Sequence, residues 1–231
     1  MFFSYILKRK RIIKIMDANN LIEKIADRYG SDSTDKMVAY VDMVLEKNKH
    51  INLTAVKDRD EAMYKHLEDS LTVTGTDEYK KAVSVIDVGT GAGFPGAVLA
   101  IADSEKSFVL LDSTLKRLRV IDEFADALGI DNIETIHARA EEISKKEGYK
   151  ESFDLCVSRA VAGLDKLCGW CLPFVKKGGY FISYKGESYK EEIEAAEKSL
   201  KKYRGRIKKI YKPESVSEMI SGHVLVIIEK Y

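Results

Sequence analysis

Five short apolar runs of one type occur between residues 84 and 184, and helix-like stretches separate or follow them. The runs are SVIDVG (84–89), FVLLD (108–112), IETIHA (133–138), FDLCVS (153–158) and GYFISY (179–184). The helical stretches are Pro95–Ala102, Leu115–Leu128, Leu164–Phe174 and Tyr189–Tyr203. Apolar strands that alternate with helices cannot bury both faces except in a parallel sheet covered on each side. The last two runs, RIKKIYK (206–212) and HVLVIIEK (223–230), have no helix between them and predict an antiparallel edge. The expectation is therefore an α/β, Rossmann-like, mostly parallel seven-stranded sheet with an antiparallel edge strand.

Ahead of the sheet, apolar spacing predicts helices over Asp17–Tyr29, Thr34–Asn48 and Arg59–Thr72. Asn52 reads as a turn or cap. The expected organisation is a basic N-terminal extension over 1–16, a helical cap over 17–78 and the sheet domain over 79–231. In the first segment Lys8, Arg9, Lys10, Arg11 and Lys14 follow an apolar run, the reverse of a secretory signal. It reads as an extension or an upstream start with Met16 as the true one; the alternative is a basic arm that touches RNA.

Composition narrows the class. The chain has 231 residues, 45% hydrophobic and 32% charged, too apolar for disorder. Three cysteines form no closed disulfide framework and fit a reducing cytoplasm. No run of about 18 apolar residues suggests a membrane span. With 38 Lys+Arg against 37 Asp+Glu, total charge neither suggests nor excludes nucleic acid, so local patches decide. Lys198 to Lys212 holds eight cations and no acid, including Lys201, Lys202, Arg204 and Arg206, with Tyr203 and Tyr211 interleaved. This is a candidate RNA surface; the plainer reading is a solvated helix end and a lysine-guarded edge strand. Lys116 and Arg117 form a second candidate.

Asp87-Val88-Gly89-Thr90-Gly91-Ala92-Gly93-Phe94-Pro95-Gly96 follows a strand and opens a helix, with Pro95 suited to its first turn. Glycines there allow positive φ and close approach of a ligand. Asp112 ends the next strand, where a carboxylate can accept ribose hydroxyls. A dinucleotide or S-adenosylmethionine would suit such a loop. Asp87, two residues before Gly89, repels a pyrophosphate but tolerates a cationic sulfonium with its ammonium group. No Walker-A lysine follows the loop.

DVGTGAGFPG, LLDSTLKR (110–117), RAEE (139–142), SRAVAGLDKLC (158–168) and YKG (184–186) occur in that order. Together with NLTAV (52–56) and KHLEDS (65–70), they resemble the bacterial 16S rRNA (guanine-N7) methyltransferase G family, also called GidB. The resemblance implies a class I S-adenosylmethionine-dependent methyltransferase with that cofactor. It implies methylation of a guanine N7 in 16S rRNA or the small ribosomal subunit. Gly89, Phe94, Ala140, Glu141 and Arg159 would contact the cofactor, joined by Asp87, Gly91, Gly93 and Asp112 from the loop argument. Arg159 and His66 are the candidate catalytic residues; Lys65, Lys116, Arg117 and Lys185 join the candidate RNA contacts. The chain departs from the family at Lys47, where an aromatic residue often precedes Asn48, and at Gly222, where Arg often precedes the histidine.

Cys168-Gly169-Trp170-Cys171 looks like a redox C-x-x-C but sits within a predicted helix late in the chain, where core packing explains it better. The four histidines have no metal spacing, so no metal is expected. Ser-Arg-Ala after the fourth strand is neither an amino-methylation Asn/Asp-Pro-Pro motif nor a cytosine-C5 Pro-Cys pair. The expected protein is a cytoplasmic, monomeric methyltransferase with no membrane partner. The alternatives are an inactive S-adenosylmethionine-binding ribosome-assembly protein and a nicotinamide oxidoreductase.

Overall fold

The computed structural model describes residues 18–214 and 217–231. The expectations for segment 1–16 lie outside them. Helix α1 (18–29) meets α2 (Ser31–Asn48) at Gly30, whose φ of 82° turns the chain. The second helix therefore starts three residues before Thr34, whose hydroxyl donates back to the Gly30 carbonyl. The predicted third helix is composite. It runs as α3 (Arg59–Ala62), a π-helical stretch Met63–Glu68 and α4 (Asp69–Leu71). Asn48, not Asn52, fixes the preceding turn: its side chain accepts from Leu53 and Thr54 N–H and donates to the Thr54 carbonyl. Helix α5 (Asp77–Lys81), capped by the Thr76 hydroxyl, leads into the sheet. An expected boundary at 78 falls inside it.

The sheet strands are β1 (Ser84–Val88), β2 (Ser107–Asp112), β3 (Ile133–His137), β4 (Phe153–Arg159), β5 (Val175–Lys185), β6 (Gly205–Tyr211) and β7 (Val224–Lys230). Their order is β3-β2-β1-β4-β5-β7-β6, with β7 antiparallel to both neighbours. The intervening helices are α6 (Gly96–Ala102), α7 (Leu115–Leu128), α8 (Ala140–Ile143), α9 (Leu164–Cys171) and α10 (Tyr189–Lys202). Pro95 stands just before α6, one step earlier than expected.

Side chains on a strand alternate between faces. Val85 joins a core with α1, α2, α6 and α7, whereas Ile86 and Val88 join a second core with α9 and α10. The N-terminal helices thus share one continuous core with the sheet. Tyr40 is its anchor: fully buried, it meets Phe94 and Phe124 edge-on and donates to the Ala92 carbonyl at 3.0 Å. Cys156, Cys168 and Cys171 are reduced and buried in the second core. Order reverses between β1 and β4, and ligands of open α/β sheets bind beyond the strand ends at that switch point.

Candidate active site

The glycine loop leaves β1 at the switch point. Gly89 and Thr90 N–H both donate to the Leu111 carbonyl, which ties the loop to β2. Gly89, Gly91 and Gly93 all have positive φ. A Cβ on Gly89 would come within 2.6 Å of Val161, one on Gly93 would run into the Tyr40 hydroxyl, and one on Gly91 would meet nothing. Of these three glycines, Gly91 alone has no described atom near that position.

Asp87 is fully buried beneath this loop. Its Oδ2 accepts the Gly96 N–H at 2.9 Å, at the start of α6; its Oδ1 makes no well-aligned hydrogen bond to a described residue, though the Thr90 hydroxyl lies near enough to act on the carboxylate. Burial pushes its pKa up to about 6, against the Thr90 hydroxyl, the Gly96 N–H and the Arg159 charge, which pull it down. Asp112 accepts Gly91 N–H at 3.0 Å and Thr114 N–H at 2.8 Å, with Arg117 3.6 Å away.

A cavity of about 160 Å³ opens beside these groups, lined by Gly89, Asp112, Ser113, Arg139, Ala140, Glu141, Val161 and Trp170. Of the expected cofactor residues it brings together Gly89, Asp112, Ala140 and Glu141. Asp87 lies below the loop instead of on the wall. Phe94 and Arg159 belong to a neighbouring cluster. Ser113, Arg139, Val161 and Trp170 escaped the sequence reading; Trp170 was hidden inside the Cys-x-x-Cys, where only its helical neighbours carried a pattern.

That neighbouring cluster gathers residues far apart in the chain. The Phe94 ring stacks on His66 at 4.5 Å and lies under the Arg159 guanidinium at 5.8 Å. Arg159 Nη1 donates to the Lys65 carbonyl and to Asp69 Oδ2, both at 2.8 Å. The other oxygen of Asp69 meets His223 Nδ1 at 2.9 Å. Burial raises the Asp69 carboxyl, but His223 and Arg159 overcome it and hold it below its ordinary value. His66 is the opposite case: burial, then the Arg159 charge, lowers it to about 4, so the imidazole is neutral at pH 7. Its Nε2 pairs with the Thr54 hydroxyl at 2.8 Å and its buried Nδ1 has no partner among the described residues.

The hydrogen bond to Asp69 raises His223, against burial. A raised histidine contributes stability that is complete below its unfolded value near 6.5 and is lost as pH rises through its folded value. The melting-temperature gap between wild type and His223→Gln should therefore be widest near pH 5.5–6 and shrink above pH 7. Thermal melts across pH 5.5–8.5 check this; a gap independent of pH would separate His223 from Asp69.

The expected RNA contacts divide. Lys65, Lys116 and Arg117 sit on the rim of the sheet that carries the cavity, at the π-helical stretch and the start of α7. Lys185 is set apart from them: it is buried, and its ammonium is spent on the Ala162 carbonyl at 2.8 Å and Glu192 at 2.7 Å. Lys201, Lys202, Arg204 and Arg206 lie on the opposite rim. The register fixes this, because Val224 pairs with Lys185 at the cavity end and Arg206 pairs with Glu229 at the other. Among the described residues no group of three or more His, Cys, Asp or Glu could hold a metal, and no helix is long and apolar enough to cross a membrane.

The strand order, the glycine loop after β1 and the carboxylate ending β2 define a class I S-adenosylmethionine-dependent methyltransferase fold. Solved structures share it: M. jannaschii TYW2 in complex with AdoMet has a TM-score of 0.54 at 17% identity, over 71% of this chain and 75% of that one. A ribosomal protein L11 methylase from Lactobacillus delbrueckii subsp. bulgaricus gives 0.52 at 18% identity, over 80% and 93%. The model of the family GidB, rRNA small subunit methyltransferase G, matches residues 33–220, and the chain belongs to that family. Ribosomal RNA small subunit methyltransferase G of Clostridium tetani (strain Massachusetts / E88) is 39% identical over 92% of this chain and 88% of its own length. The protein of that name from Thermoanaerobacter sp. (strain X514) is 44% identical over 83% and 79%.

Proposed function

We propose that this chain transfers a methyl group from S-adenosylmethionine to N7 of a guanine in the 16S rRNA of the small subunit, as a cytoplasmic monomer. Beyond family membership, one observation carries the choice of cofactor. In dinucleotide sites the N–H groups at the first helix of the fold receive a pyrophosphate. Here the Gly96 N–H is taken by the Asp87 carboxylate. A second anion at that place would meet a buried carboxylate, whose charge beneath the loop favours a cationic ligand above it.

The residues fit the cofactor. Asp112 would take the ribose hydroxyls, Gly89 the approach of the methionine part, and Ala140 and Glu141 the adenine edge. When bound, S-adenosylmethionine supplies an electrophilic methyl on sulfur. Guanine N7 carries a free lone pair, so no residue has to remove a proton from it. That matches a neutral His66 and an Arg159 held by its partners. Arg159 would offer its remaining N–H groups to guanine O6 or a phosphate, and Lys65, Lys116 and Arg117 would contact the RNA on the same rim.

Calorimetry with S-adenosylmethionine and NAD tests the cofactor assignment: heat of binding with the first and none with the second is expected. The reverse would make the site a nicotinamide one. Gly91→Asp sharpens the test. Aspartate tolerates a left-handed backbone better than most residues, and no atom lies within 4 Å of a Cβ there. The variant should fold with a melting temperature near that of wild type and lose S-adenosylmethionine binding, because its carboxylate enters the ligand's approach beside Asp112. Wild-type affinity would show that the cofactor lies elsewhere.

A further inference from the structure

The rim opposite the candidate active site carries a cleft of about 450 Å³ that the reaction does not use. Four stretches of chain build it: the connection between α8 and β4, Pro173, the end of α10 with the residues that follow, and Lys230 on β7. They bring Lys145, Lys150, Lys202 and Arg204 to one opening. None of these four makes an ion pair with a described residue. The fifth cation, Lys230, is buried in the floor, where Glu151 at 2.8 Å and the Leu172 carbonyl at 3.0 Å hold it. Total charge is balanced, at 38 basic and 37 acidic residues, so this gathering is not the by-product of a basic chain.

The backbone adds an independent observation. Three described non-glycine residues have positive φ: Glu151, Ala160 and Arg204. Ala160 follows Arg159 in the candidate active site; the other two line the cleft. Such conformations cost of order 1–3 kcal/mol and gather at functional sites. Glu151 has its reason in Lys230. Arg204, at φ 56°, follows the C-terminal cap of α10, where glycine would fit without strain, and its side chain makes no ion pair with a described residue that would account for its presence.

We propose that this cleft docks a second stretch of RNA backbone, away from the target guanine. The inference rests on the rRNA methyltransferase reading above. Strand β4, seven residues long, separates the two rims, a distance of roughly 20 Å at about 3.3 Å per residue. A large RNA that offers its guanine at one rim can run along the other and gain affinity without touching the chemistry. The occupant is an extended polyanion and not a small phosphate: the one enclosed ammonium is already paired, and the other four cations, with Lys202 over the Tyr203 ring, line an open cleft. Tyr203, packed over Gly169, forms a wall of the same cleft.

The decisive variant is Arg204→Gly, which relieves the backbone and should fold at least as stably as wild type. It is measured beside a Lys145→Gln/Lys150→Gln/Lys202→Gln triple variant. Each phosphate contact contributes about 0.7–0.9 to the slope of log K against log salt. With a 16S rRNA transcript, the slope should therefore flatten by about 1 for Arg204→Gly and by about 2–3 for the triple variant. Affinity at low salt should drop several-fold for the first and more than 10-fold for the second. S-adenosylmethionine affinity and kcat at saturating RNA should stay at wild-type values. If the wild type binds and methylates the transcript and both variants keep its slope, the cleft assignment is overturned while the methyltransferase reading stands. Tight binding of inorganic pyrophosphate by the wild type, lost in the variants whose RNA slope is unchanged, would make it a small-anion site instead. A wild type that neither binds nor methylates the transcript would overturn both.

Discussion

Asp69→Ala should destabilise the protein by about 3–5 kcal/mol and lower kcat/KM by about 100-fold. The first figure follows from what remains. Asp69 and Arg159 are almost wholly enclosed, and loss of one partner leaves a buried charge with too few acceptors. Arg159 would keep only the Lys65 carbonyl and would turn toward solvent. The second figure follows from that turn, since a displacement of about 1 Å in a positioning group costs about 100-fold. Asp69→Asn retains an acceptor without the charge and should fall between the two. Chemical denaturation and steady-state kinetics check both numbers. A stable Asp69→Ala variant with full activity would show that Arg159 needs no partner.

Gly93→Ala should cost about 2–6 kcal/mol and abolish cofactor binding in whatever fraction still folds. At φ 91° an alanine is strained, and its methyl would occupy the place of the Tyr40 hydroxyl. Strain and overpacking each contribute about 1–3 kcal/mol. Tyr40 cannot step aside, because Phe94 and Phe124 flank its ring. The double variant Gly93→Ala/Tyr40→Phe removes the colliding oxygen and should recover part of the stability. Denaturant midpoints of the two variants measure that recovery. A midpoint no higher in the double variant would place the damage in the backbone alone.

Much of the architecture was legible because it is written locally. Most strands are short apolar runs, and alternation with helices leaves a parallel sheet as the simple solution. The site was legible where it follows from strand ends: Gly89 after β1, Asp112 at the end of β2, and Ala140 and Glu141 after β3. It was not legible where partners are remote. Asp69 and His223 stand 154 residues apart and meet only because β7 returns beside β5. Lys185 looked available in Tyr-Lys-Gly, but Glu192, on the following helix, folds back to neutralise it. The basic stretch 198–212 misled most. It is continuous in sequence, yet β6 carries it from one rim to the other. On the way Glu229 takes Arg206 and Lys208, and Glu78 takes Lys209. The cleft residues Lys145 and Lys150 belong to another segment and gave no signal of their own.

Methylation of a 16S rRNA guanine at N7 leaves a chemical signature of its own. The most direct measurement supplies S-adenosylmethionine with a labelled methyl group, together with unmodified 16S rRNA or small subunits. Label should enter the RNA, and borohydride followed by aniline should cut the product at one position, because only an N7-methylated guanine becomes labile that way. Labelled RNA that resists this cleavage would place the methyl on another atom. Cofactor binding with no label in any RNA would make the chain an inactive binding protein and contradict the account.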